Sequence, residues 1–485
     1  MASSTSGSSS RIAGAARSMR GSSRPFRAST SRRREGRALR PRHCAAVLLA
    51  AHVVALVVTT PGHAARTIRV PDDAASVQAG IDAAVDGDTV LVAPGVYRER
   101  IVLNKTITLA SHYLTTRDPT YRARTILDGG GGRGTVVTVP RGVGPATALV
   151  GFTIRNARGG VSIEGRLQLL DSVVTRTSDA VSFESGGGVV RGNVIEANGD
   201  DGIDLDGASD AVIEDNLIRN NDDDGVEIRL EPHKGAALHI VIRRNIIFGN
   251  KEDGIQLIGY PKVSPRVLYI QQNLIMNNRM AGVGMMADGN SDENYSAAPL
   301  PEPVFLFNNT FVGNDHALSG GANVTARNNI FVGATRLGLK NVAGRSSVTH
   351  TLFFRNRTNF QGSNVDETTS LIGDPRFDGR YNLRAGSPAI DAGVSVGLAF
   401  NGAAPDLGAY ETDPAATPTP EPTPSTPPAP SPAPVPAPTP EREGLPRHDR
   451  RRTPRRAARR NSGGRRRARP RLSSTPTAPR PRSPR

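Results

Sequence analysis

Apolar positions recur along this chain in short runs, with none of the long helical stretches of a bundle. From Gly151 onward the segments GFTIRN, DSVVTR, GNVIEAN, DNLIRNN, RNIIFGN, QNLIMNN, NNTFVGN, NNIFVG and TLFFRN align, placing Ile154, Val174, Ile195, Ile218, Ile247, Ile275, Phe311, Phe331 and Phe353 in one register. Each repeat holds two or three strands of a few residues. That is too short for a crossover helix, so each repeat passes once around a solenoid instead of forming a βαβ pair. Right-handed connection is the default for parallel strands. The pattern predicts an all-β fold, a single-stranded right-handed parallel β-helix of about ten to twelve coils. Ahead of the repeats, Val77, Ile81 and Ala84 are spaced for one face of a short helix that would cap the open end of the stack. Short strands are expected after it, around Thr89 to Ala93, Tyr97 to Leu103 and Thr106 to Leu109.

Two asparagine columns mark the corners. Asn193, Asn216, Asn245, Asn273, Asn309 and Asn329 open the aligned strand, and Asn198, Asn221, Asn250, Asn278 and Asn314 follow five residues later. Asparagine tolerates turn dihedrals and its amide can bond the amide of the next coil, so these columns are expected to be architecture.

Composition fits a repetitive, turn-rich fold: aromatics make up 4%, with 51 glycines and no tryptophan. The formal charge of +16 suggests nucleic acid until its distribution is considered. Residues 1–65 carry +10 and residues 441–485 carry +14, which leaves the middle at −8. An acidic body does not track phosphates, so no sequence-specific nucleic-acid partner is expected. Cys44 is the only cysteine, so no intramolecular disulfide forms. The apolar run from Cys44 to Thr60 follows a basic stretch and ends at the small-residue site Pro61-Gly62-His63-Ala64. It is read as a cleaved export signal, giving a mature chain without a transmembrane span. The domain expectations are a basic leader and signal peptide (1–65), the β-helix (66–412), a Pro-rich linker (413–440) and an Arg-rich tail (441–485).

Three consecutive repeats are long, all growing just after the second strand: Glu231 to Ala237, Gly259 to Arg266 and Ala287 to Pro303. Insertions at one register stack into a wall, and a wall beside a flat sheet makes a cleft. Alternation sends Ile203 and Leu205 inward and leaves Asp204 and Asp206 outside; the next coils expose Glu227, Arg229 and Gln256. The expected outward columns are Ser182, Asp204, Glu227, Gln256 and Glu184, Asp206, Arg229, with neighbours about 4.8 Å apart. Carboxylates at that spacing share a proton or bind a cation. Asp204, Glu227 and Asp223 are the expected metal ligands, and Ca²⁺ is the candidate cofactor because it seeks hard oxygen donors. Asp206, Gln256, Lys262 and Tyr295 are expected at the substrate, and His233, Arg229, Lys234 and Tyr260 are the groups available for proton abstraction at C5 of a uronate. The competing reading is a solvated acidic face with an exposed Asp206–Arg229 pair.

The helical opening, the Asn-x-Ile coils and the closing runs Asp374-Pro375-Arg376-Phe377, Ser387-Pro388-Ala389-Ile390-Asp391-Ala392-Gly393 and Asp406-Leu407-Gly408-Ala409-Tyr410-Glu411 resemble the exported right-handed β-helix repeat proteins of bacteria, within the pectate-lyase-like superfamily. The resemblance spans about residues 67–412 and implies fold, not reaction. Gly199-Asp200-Asp201-Gly202-Ile203 is similar to the Asp-Asp motif of polygalacturonases, but no Gly-His-Gly or Arg-Ile-Lys motif follows. Glu231-Pro232-His233 is similar to the Asp-Pro-His motif of alginate C5-epimerases, with Lys234 where an acidic residue is common. Two functions remain open. One is a secreted or cell-surface monomer that binds an acidic polysaccharide or cell-envelope polymer, with lyase or C5-epimerase chemistry as its enzymatic form. The other is a non-enzymatic surface or adhesion module on a proline-rich stalk.

Overall fold

The computed structural model describes residues 64–413, except 294 and 296–299. The expected leader through His63, Cys44 within it, and the linker and tail from Pro414 on lie outside the described residues. The chain winds as a right-handed parallel β-helix with three sheets. Sheet 1 runs through twelve strands from Thr67–Val70 to Ser347–Thr349, sheet 2 through eleven from Ile101–Val102 to Thr358–Gln361, and sheet 3 through twelve from Gly95–Tyr97 to Leu371–Ile372. Each coil visits sheet 3, then sheet 2, then sheet 1. Every strand pairs in parallel with its equivalents in the adjacent coils. No helix among the described residues is long and apolar enough to cross a membrane.

The aligned register is that of sheet 3, where Ile154, Val174, Ile195, Ile218, Ile247 and Ile275 stack residue on residue and continue into Phe311, Phe331 and Phe353. All nine are at most 1% exposed. Burying each contributes about 1.5–3 kcal/mol. The phenylalanines stack with ring centroids 4.9 and 5.6 Å apart, an arrangement that adds to area burial. Both asparagine columns are buried ladders at the corners. Asn216 accepts from the backbone and side-chain amides of Asn193 at 2.9 and 3.0 Å, and its own Nδ2 donates to Val190 O and Asn245 Oδ1. The corner residue before each first-column asparagine has a left-handed φ, as at Asp215 (58°) and Arg244 (54°).

The expected capping helix is Val77–Ala83. Ser76 caps its first turn by accepting from Ala79 N, and Lys105 closes the far end by donating to three carbonyls. Val77 and Ile81 are buried on the first coil. Of the early strands expected, the second is split into Gly95–Tyr97 and Ile101–Val102, because the chain turns a solenoid corner between them. Two short helices, Tyr113–Thr116 and Pro119–Arg124, were not expected; Asp118 and Pro119 start the second. At the other end the closing segment packs Leu383, and Ala389 and Leu407 of its motifs, on the outer face of sheet 3 against Ile330 and Leu352.

Candidate functional site

Sheet 2 carries the expected columns. Ser182, Asp204, Glu227 and Gln256 are in register across four coils, and Glu184 pairs with Asp206. Ile203, Leu205, Val226 and Ile228 fill the core at 0–1% exposure, which forces Asp204, Asp206, Glu227 and Arg229 to the outer face. These residues floor a cleft of about 510 Å³. The three inserts stack beside it, as their shared register implies. Arg266 of the second donates to Glu231 O of the first, Ser264 N donates to Glu302 of the third at 3.0 Å, and Gly289 N donates to Gly259 O at 2.8 Å.

The turn entering sheet 2 supplies more carboxylates. Asp201, Asp224 and Asp253 each precede a glycine at the same corner and form a ladder of their own. Asp224 N donates to Asp201 Oδ1, Asp253 N to Asp224 Oδ1, and Ala281 N to Asp253 Oδ1, at 3.0, 2.6 and 2.6 Å. These bonds hold three carboxylates at or below 9% exposure. Oxygen atoms lie within 4.8 Å of one another in three overlapping groups: Asp201 with Asp204 and Glu227; Asp200 with Asp201 and Asp223; and Asp223 with Asp224, Glu252 and Glu293.

Burial is the largest cause of every proton-affinity shift here, and neighbouring carboxylates add to it. Asp204 is pushed up to about 8 by burial, then by Asp206 and Glu227. Glu227 is pushed up to about 7 by burial although the Arg229 guanidinium lies 2.8 Å away and pulls the other way. Asp223 reaches about 7 through burial and Glu252, and Asp201 and Asp224 are raised well above the ordinary carboxylate range. Asp204 Oδ1 and Gln256 Oε1 are buried without a hydrogen-bond partner. Unpartnered oxygen acceptors among crowded carboxylates fit a hard divalent cation such as Ca²⁺, which takes six to eight oxygens and relieves their repulsion.

Of the residues expected at this site, the structure brings together Asp204, Asp206, Asp223, Glu227, Arg229 and Gln256. Arg229 pairs with Glu227 as well as with Asp206, the latter at 3.3 Å, so the simple Asp206–Arg229 pair is replaced by a shared guanidinium. Tyr260, on the second insert, lies close enough to Arg229 to favour its charged form but is not among the residues lining the cleft. His233, Lys234 and Lys262 stand on the inserts away from the cleft lining, and the His233 ring meets Ala236 O of its own loop at 3.2 Å. Tyr295, expected at the substrate, is instead 6% exposed, because its hydroxyl donates to Asp253 and its ring packs edge-on to His316. Sequence reasoning assigned no site role to Asp201, Asp224, Glu252, Asp253 or Glu293. The Asp-Gly step repeated before the three consecutive sheet 2 strands Ile203–Asp206, Val226–Arg229 and Ile255–Ile258 was the available signal for the aspartates.

Residues 143–298 match the family described as right handed beta helix region. No curated protein matches the chain. Among solved structures, pectate lyase Pel9A is similar at 16% identity and a TM-score of 0.49, over 73% of this chain and 98% of that one. The A-module of mannuronan C-5 epimerase AlgE6 from Azotobacter vinelandii is similar at 17% identity and 0.37, over 62% and 94%. The catalytic unit of a thermostable GH87 alpha-1,3-glucanase from Streptomyces thermodiastaticus gives 14% identity and 0.41, over 61% and 64%. At these identities the likeness says nothing of a shared reaction.

Proposed function

We propose that this β-helix binds a divalent cation, Ca²⁺ by its ligand chemistry, in the cleft on sheet 2, and that the cation admits an acidic polysaccharide. One observation carries the reading: Asp201, Asp204 and Glu227 hold carboxylate oxygens within 4.8 Å of one another on a largely buried floor. Without a cation or added protons this group repels itself and any polyuronate. A bound cation inverts the local field and leaves coordination positions for a sugar carboxylate. Asp204, Glu227 and Asp201 would hold it, with Asp223 beside them.

Once a sugar is bound, the chemistry falls to the chain's own groups. Glu227 and Asp206 keep Arg229 charged, so Arg229 serves as an anion-binding group on the cleft floor. In a lyase or C5-epimerase, proton abstraction then falls to Tyr260, which stands on the second insert near Arg229. A second reading has its own support. Asp204 and Glu227 stand in register on adjacent coils, both held above the ordinary carboxylate range by burial, and a pair of carboxyl groups is the equipment of glycoside hydrolysis. The leader favours an extracellular or surface location for either form.

The test combines thermal shift with product analysis, using Ca²⁺, oligouronates and neutral glucans. Stabilisation by Ca²⁺, enlarged by an oligouronate, is expected, as is loss of both in Asp204→Asn with Glu227→Gln. Unsaturated products identify elimination, new reducing ends without unsaturation identify hydrolysis, and binding without products identifies an adhesion module. Indifference of the wild type to Ca²⁺ and every uronate would sink the proposal.

A further inference from the structure

The outer face of sheet 2 changes character along the solenoid. In Gly159–Ile163, Asp179–Glu184 and Ile203–Asp206, buried and partly exposed residues broadly alternate, as a sheet with one wet face requires. From Ile255–Ile258 through Ala281–Met286 to His316–Ser319 every residue is buried, outward positions included. Ser291, Glu293 and Tyr295 of the third insert pack over this face, against Gln256, Gly284 and His316. Gln256 Nε2 donates to Ser291 O at 3.2 Å and to Glu293 Oε1 at 2.7 Å. Tyr295 donates to Asp253, accepts from Asn341 Nδ2 at 3.0 Å through its carbonyl, and lies under Lys340 Nζ at 5.3 Å from its ring centre. This roof is therefore fastened to sheet 2 from the coil of Asp253 to that of Asn341.

Ser291, Asp292 and Glu293 line the cleft beside Gln256, beyond which the outward positions of sheet 2 are buried, and the stacked inserts wall the edge facing sheet 1. It stays open toward the N-terminal coils. There the segment between sheets 3 and 2 changes sign: the register that later coils fill with Asp200 and Asp223 is held by Arg158, and Arg98 and Arg176 leave sheet 3 on neighbouring coils. With Gly130, Gly131 and Gly132 these arginines line a depression of about 790 Å³. Their side chains are exposed and none is paired with a described carboxylate within 4.0 Å, although Arg158 acts on Asp179 from a greater distance, whereas the nearby Arg155 is taken up by Asp128 at 2.8 Å.

We propose that the blind cleft accepts one end of an acidic polysaccharide chain, and that the rest of the chain leaves over the arginine-lined depression of Arg98, Arg158 and Arg176. The inference rests on the cation and uronate reading of the cleft and adds a direction and a chain-end preference. A chain held internally would need an exit at both ends, and the roof closes one. Guanidinium groups recognise successive carboxylates well, and a coil rise of about 4.8 Å spreads them along the axis.

The test titrates the full chain, in Ca²⁺ below the gelling threshold, against size-fractionated oligouronates of two lengths, and counts protein bound per sugar chain. An end-binder is expected to give one protein per chain at both lengths. A count rising in proportion to length overturns the proposal. In the double variant Arg158→Gln with Arg176→Gln, affinity for the longer chain is expected to fall about ten-fold per arginine while affinity for a trimer is unchanged. Equal losses for both, or none for either, overturn the exit track. Failure of the wild type to bind any uronate at saturating Ca²⁺ would instead remove the cleft reading beneath it, so the two failures are distinguishable.

Discussion

The carboxylate of Asp253 occupies the space that a side chain on Gly284 would need. Gly284 stands in register with Gln256, in the outward column of sheet 2. Asp253 leans over it from the adjoining corner, and Tyr295 Cε1 would lie 2.9 Å from an added Cβ. Gly284→Ala is therefore expected to force the Asp253–Tyr295 contact apart and to cost about 1–3 kcal/mol, as overpacking of a filled site does. Urea unfolding of the variant against wild type measures it; an unchanged midpoint would mean that the roof yields freely.

The asparagine ladders make a stronger claim. Asn245 Oδ1 accepts from Asn216 N and Nδ2, each at 3.0 Å, and Asn245 Nδ2 donates to Ile213 O and Asn273 Oδ1. Asn245→Ala strands these groups in a dry corner at about 1–3 kcal/mol for each one left unpaired. A loss of at least about 3 kcal/mol is expected, against under about 0.5 kcal/mol for the exposed Asn401→Ala. Chemical denaturation of the two variants compares them directly.

How much of this molecule could be read from its sequence depends on where periodicity operates. The columns of Asp204, Glu227 and Gln256 were legible because alternation fixes which side of a strand each residue takes, and repeat register fixes which residues stack. Asp201, Asp224 and Asp253 escaped because they sit at a corner, where side-chain direction depends on turn dihedrals and not on alternation. Glu293 and Tyr295 lie in an aperiodic insert. Nothing in its composition told that Tyr295 would turn inward to Asp253 while Ser291 and Glu293 covered Gln256. The wall was legible, and the roof was not.

The crowded carboxylates predict a pH profile. Asp204, Glu227 and Asp223 bind protons more tightly folded than unfolded, with folded values of about 8, 7 and 7. The native state therefore carries more protons than the unfolded state between the ordinary carboxylate range and about pH 8, and unfolding free energy falls as pH rises through that window. Cation-free protein is expected to melt lower above pH 8 than at pH 5, and Ca²⁺ is expected to restore most stability at the alkaline end, where it meets no competing protons. Asp204→Asn with Glu227→Gln should flatten the profile. A wild-type melting temperature that rises across this window would contradict the burial of these groups.

Arg229 is the only cationic side chain among the described residues lining the cleft, and its guanidinium is shared between Glu227 and Asp206 at 2.8 and 3.3 Å. Arg229→Gln leaves both carboxylates without that partner, so the proton affinity of Glu227 should climb further and the cation-free protein should lose stability at pH 8. The same change removes a positive charge that opposes an incoming Ca²⁺, so cation affinity should rise by about ten-fold. Uronate binding should move the opposite way, because the sugar carboxylate loses a charged donor on the cleft floor. Calorimetric titration with Ca²⁺ alone, and then with an oligouronate at saturating Ca²⁺, reads the two effects separately. Weakening of both would place Arg229 in holding the floor together, whereas tighter cation with weaker sugar is the signature of a guanidinium that faces the ligand.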